Sequence, residues 1–96
     1  MPPTISDLAN WPKDRRGLPI FTSTHDALLY AQLVAHDKDR QELLSISRED
    51  IYIKLKHERH SKKPNLQRMM DLAVKAQFYR ECLEECQRIK DERFTP

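Results

Sequence analysis

Apolar residues recur at helical intervals along most of this chain, and the intervals break at a few polar stretches. From Ser23 onward, Ala27, Leu28, Ala31, Val34 and Ala35 share one side of a helix. The Ser23 hydroxyl can cap that helix, and Asp26, three residues later, suits its positive end. The run from His36 to Glu42 is polar throughout. It predicts a turn near Asp37, with Asp39 and Glu42 restarting the helix.

Between Leu43 and His60 two periods compete. Ile51, Ile53 and Leu55 alternate with Tyr52, Lys54 and Lys56 as in a half-buried strand, but no second strand is present to pair with it. At about 100° per residue a helix instead gathers Leu44, Ile51 and Leu55 on one stripe and Ile46, Ile53, His57 and His60 on the opposite one. The helix is the preferred reading. Ser47 followed by Asp50 resembles a fresh cap, which adds an expected kink near Ser45 to Ser47.

Lys63 precedes Pro64 and is pushed out of helical geometry, after which Asn65 can cap a last helix running to about Arg93. On that helix Met69, Leu72, Ala73, Ala76, Tyr79, Leu83 and Cys86 form one broad apolar face. Met70, Val74, Phe78, Cys82 and Ile89 form a second. Two faces require two neighbours. The preceding helix can cover one; the other falls to the short first helix, to the N-terminal segment, or to a second copy of the chain.

Residues 1–22 hold four of the six prolines, Pro2, Pro3, Pro12 and Pro19, so this segment cannot be one helix. It reads either as an extended arm anchored by Leu8, Trp11, Leu18, Ile20 and Phe21, or as a frayed tail up to Lys13. The expected architecture is therefore all-α: an extended arm over 1–22, then a small three-helix bundle over 23–96 whose last two helices form a long antiparallel hairpin.

Composition narrows the chemistry. The 96 residues contain one glycine, Gly17, where average usage of about 7% would give six or seven. Phosphate-cradling loops, dinucleotide-binding turns and the Gly-x-Ser-x-Gly elbow need several glycines, so none can be built here. Apolar runs reach only four or five residues, which fits neither a membrane span nor a signal-peptide core. With two cysteines, Cys82 and Cys86, expected as reduced thiols, a cytoplasmic location is expected.

His57 and His60 stand near one helical turn apart, as do Cys82 and Cys86, which supplies the ligand types of a zinc site. In a hairpin turning near residue 62 the cysteines lie about 20 Å or more from the histidines, so zinc bonds cannot join them. The cysteines read as small apolar residues, since Glu81, Glu84 and Glu85 disfavour a reactive thiolate and adjacent helical turns seldom fit a disulfide. His25, His36, His57 and His60 could each serve as a base, but no motif assigns them roles. Arg80 and Gln77 border the main apolar face and read as snorkelling side chains. No enzymatic activity, cofactor or metal is expected.

One cluster of charge remains. Lys54, Lys56, Arg59, Lys62, Lys63 and Arg68 surround the bend, with Glu58 the only acid among them. Such an elbow solvates a loop tip, grips nucleic-acid phosphates, or meets the acidic far end of the last helix in another protein or copy. Tyr52 is the only nearby aromatic, which leaves base stacking poorly supplied. The expected function is a non-catalytic protein-interaction or self-association module, with a homodimer as its expected form. A nucleic-acid-binding accessory role through the elbow is the alternative.

Overall fold

The computed structural model describes residues 5–92; Pro2 and Pro3 of the expected arm and Arg93 at the expected helix end lie outside them. Four helices follow one another: α1 (Ile5–Asn10), α2 (Thr24–Val34), α3 (Lys38–Arg59) and α4 (Leu66–Glu92). The all-α class and the long C-terminal hairpin agree with the apolar spacing. The short α1 is an addition within the arm. The Lys13 ammonium closes its end by donating to the carbonyls of Leu8, Ala9 and Trp11 at 3.3, 3.1 and 3.1 Å, groups that a helix C-terminus leaves without partners.

α2 starts where the cap predicts. The Ser23 hydroxyl accepts from the Asp26 amide at 3.2 Å, and the Asp26 carboxylate accepts from the Thr22 hydroxyl and amide at 2.7 and 3.0 Å. The Thr22 hydroxyl, then its amide, hold the Asp26 carboxyl below the usual carboxylate range. The helix buries Ala27, Tyr30, Ala31 and Val34, an i, i+3, i+4, i+7 stripe. Leu28, expected in that core, is only half-buried, because the stripe centres on Tyr30 instead.

Asp37 caps α3 by accepting from the Arg40 amide at 3.1 Å, and Gln41 joins three elements there. Its amide donates to the Val34 and Ala35 carbonyls at 2.7 and 2.8 Å, while its oxygen accepts from Lys90 at 3.0 Å. α3 then runs unbroken through Ser45 to Ser47, so the expected kink is absent. Leu44 and Ile51 stay on one buried line that a break would misalign. The strand alternative for Ile51 to Leu55 is replaced by helix.

The hairpin is antiparallel. Near its tip the Asn65 amide donates to Glu58 at 2.8 Å and Asn65 caps α4 by accepting from the Arg68 amide at 3.0 Å; Lys90 meets Gln41 at the other end. α4 packs on α3 along one side and on α2 along another. It buries Ala76, Tyr79, Cys82 and Cys86, with Leu72 and Leu83 half-buried beside them. Ala73, expected on the main face, is exposed because the two neighbours pull the buried stripe toward Cys82.

The arm shares this core. Residues 12–20 fold back on themselves through the bonds Asp14 amide to Leu18 carbonyl and Ile20 amide to Pro12 carbonyl, both 2.9 Å. Gly17 turns the corner at φ +83°, a conformation that only glycine adopts without strain. Leu18 enters the core at 3% exposure. Trp11 and Phe21 close on Tyr30 at 5.3 Å between ring centroids, and Phe21 meets Tyr79 at 5.9 Å, all edge-to-face. The arm is thus not a frayed tail after Leu8.

Asp14 pins the fold-back to the hairpin. Its carboxylate accepts from the Arg16 and Leu18 amides at 2.9 and 3.0 Å and lies 3.7 Å from the Lys75 ammonium. Partial burial works to raise its pKa, but the two amides and Lys75 outweigh it and hold the carboxyl below the ordinary value. Its stabilisation is therefore complete above the unfolded carboxylate range and fades as pH falls through the depressed folded value. Asp14→Asn should lower the unfolding free energy by about 1 to 2 kcal/mol near neutral pH. Urea titrations across pH should show the gap to wild type closing in acid; a gap independent of pH would contradict this assignment.

Candidate interaction surface

The tip of the hairpin is exposed from Ser61 to Arg68, as the charge cluster predicts. Lys54 pairs with Asp50 at 3.0 Å and Arg68 approaches Glu58 at 3.8 Å. Lys56, Arg59, Lys62 and Lys63 make no salt bridge among the described residues. Only these four of the six elbow residues offer unneutralised charge. The far end of the hairpin is richer in acid, where Glu81, Glu84 and Glu85 border a shallow depression beside Leu28.

The second apolar face of α4 does not survive as one surface. Cys82 is fully buried, so it cannot belong to a self-association face; α2 covers it, with Tyr30 close enough to interact electrostatically. A hydrogen bond with Cys86, then burial, raise the Cys82 pKa and keep the thiol protonated. Cys86 donates to the Ala31 carbonyl at 3.7 Å. Phe78 and Ile89 are half-buried. Met70 and Val74 remain open at 63% and 47% exposure.

The N-terminal segment, one of the three neighbours weighed for the second face, borders the open part. Leu66, at the start of α4, is 72% exposed, and Ile20 of the arm is 45% exposed. Ile20, Phe21, Val74 and Phe78 line a groove of about 350 Å³ with Asp14, Asp71 and Lys75 on its rim. Leu66, Met70, Ala73 and Gln77 follow one another at intervals of four, three and four residues, which places them on one seam. Ile20 and Phe21 were among the arm residues weighed to cover the second face, and the fold-back at Gly17 sets them beside Val74 and Phe78.

α3 carries a separate stripe. Ile46 and Ile53 are 59% and 56% exposed and point away from α4, and Ile53 shares a groove of about 370 Å³ with Lys56, His57 and His60. The histidines therefore sit on the outer surface of α3, while Cys82 and Cys86 lie against α2. Among the described residues no group of three or more His, Cys, Asp or Glu side chains is gathered as a metal site would require. None of the helices is long and apolar enough, over the described residues, to cross a membrane.

The other polar cluster is Asp14, Lys75 and Tyr79, which separates the groove at Val74 from one of about 280 Å³ at Asp50 and Leu72. Its groups are committed to structure. Asp14 serves the arm's backbone, Lys75 lies 5.9 Å from the Tyr79 ring, and burial, then the charge of Asp14, hold the Tyr79 hydroxyl well above its ordinary pKa. No known protein family matches the chain, and comparison with curated proteins and with solved structures gives no significant match.

The Tyr79 hydroxyl is buried with no hydrogen-bond partner in the structure. An unsatisfied buried hydroxyl costs its desolvation, so Tyr79→Phe should leave the fold intact and raise stability by up to about 1 kcal/mol. Thermal or urea unfolding of the variant measures this; a loss of more than about 1 kcal/mol would mean the hydroxyl has a partner that matters.

Proposed function

We propose that this chain is a non-catalytic helical module that binds a polypeptide, a second copy of itself included, through the open face of α4 and the adjoining arm. The observation that supports this most is that Leu66, Met70 and Val74, four residues apart along α4, and Ile20 of the arm are each at least 45% exposed, with Ile20 and Val74 lining one groove. Isolated exposed apolar residues need no explanation, but a contiguous patch with a groove is characteristic of an interaction site. The α3 stripe of Ile46 and Ile53 is a second, smaller surface. A cytoplasmic setting suits buried, free thiols at Cys82 and Cys86.

A second reading rests on Lys56, Arg59, Lys62 and Lys63, which are exposed and carry no salt bridge among the described residues. Together they could neutralise a few phosphates and give salt-sensitive binding without sequence readout. The lack of flanking aromatics makes it the weaker one.

Immobilised full chain, offered native lysate together with a tagged copy of itself, should retain polypeptide. Met70→Glu with Val74→Glu should cut the retained amount about tenfold or more, while Ile46→Glu with Ile53→Glu has the smaller effect. Retention of no polypeptide, or retention indifferent to Met70 and Val74, would overturn the reading. Retention of nucleic acid alone, released by Lys62→Glu with Lys63→Glu, would replace it with the second.

A further inference from the structure

The open face of α4 has polarity along its length. The seam begins apolar at Leu66, Met70 and Ala73 and turns polar at Gln77, Arg80 and Glu84, each interval being three or four residues. Charge follows the same axis. Lys62 and Lys63 stand just before the apolar half, and Glu81 and Glu84 lie beyond it, with fifteen residues, about 22 Å, between Leu66 and Glu81. An occupant that covers Leu66 to Val74 must also present acid to the tip and base to the far half.

A second copy of this chain, laid antiparallel, meets each of those requirements. We propose that two copies pair through α4 across a twofold axis near Leu72, an inference that rests on the interaction reading above and names its partner. About such an axis Met70 faces Val74 of the second copy and the tip at Lys62 and Lys63 faces its half at Glu81 and Glu84, and each contact occurs twice. Met70 is unbranched and adaptable, and the 350 Å³ groove beside Val74, with Phe21 and Phe78 along it, receives it. A parallel pairing would instead set Lys62 and Lys63 against themselves and Glu81 and Glu84 against themselves.

The local bonding leaves Lys62, Lys63 and Glu84 open to solvent. Lys62 and Lys63 have no salt bridge among the described residues. Glu84 meets only the exposed Arg80, at 3.8 Å, whereas Glu81 bonds through one oxygen to Gln77 at 2.9 Å and its other oxygen is buried without a partner, so Glu84 is the more open acid. Exposed pairs of this kind contribute little singly, so the apolar seam supplies most of the affinity and the charge contacts fix the direction.

Sedimentation across a dilution series tests this with three charge designs of the full chain. Wild type should sediment as a concentration-dependent dimer. Lys62→Glu with Lys63→Glu, and separately Glu81→Lys with Glu84→Lys, should each weaken it about tenfold, and mixing these two variants should restore dimer, because every reversed contact is then matched. Met70→Glu should abolish it with helical content unchanged by circular dichroism. A wild type that stays monomeric at the highest concentration reached would overturn the pairing while leaving the capture experiment to judge the interaction reading. A dimer indifferent to both charge reversals would overturn the antiparallel arrangement.

Discussion

The edge-to-face cluster of Trp11, Phe21, Tyr30 and Tyr79 joins the arm, α2 and α4 at one point of the core. Trp11 and Phe21 come from the arm, Tyr30 from α2 and Tyr79 from the middle of α4. Each ring pair contributes about 0.5 to 1.5 kcal/mol beyond the area it buries. Because Tyr30 and Tyr79 are both almost completely buried, the arm is part of the core rather than a cover laid over it.

Much else is arranged to deliver those rings. Asp14 and Gly17 fold the arm back so that Leu18 and Phe21 face inward, and the Trp11 indole nitrogen donates to the Ile20 carbonyl at 3.2 Å across the fold. Arg16 reaches Asp50 of α3 at 3.5 Å, while Asp14 reaches Lys75 of α4, so the fold-back touches both arms of the hairpin. These ion pairs are partly exposed and individually weak. Their role is placement, with burial of the rings and of Leu18 supplying the free energy.

The cluster also decides which surface remains. α4 presents apolar residues around more of its circumference than α3 alone can cover, and the arm and α2 take the side marked by Phe78 and Cys82. What they leave is the stretch from Leu66 to Val74, nearest the tip and beyond the reach of the short α2. Helices α2, α3 and α4, the caps at Ser23 and Asn65, the turns near Asp37 and residue 62 and the exposure of the basic tip were legible in the sequence, because each depends on neighbours within one or two turns; the short α1 and the cap at Asp37 rather than Asp39 were not. Nor were the burial of Cys82 and the exposure of Ala73. Those depend on the angle at which α2 and the arm meet α4, and a helical wheel carries no information about a neighbour's direction. The serines at 45 and 47 misled for a related reason: hydroxyls that can cap a helix are overridden when Leu44 and Ile51 pack on one continuous line.

Native-state hydrogen exchange reads the integration of the arm into the core most directly. The amides of Leu18 and Ile20, bonded to Asp14 and Pro12, should open only with the helices, with protection comparable to that of α4 around Tyr79. Exchange at those two amides near the rate of an unfolded segment, while α3 and α4 stay protected, would contradict it.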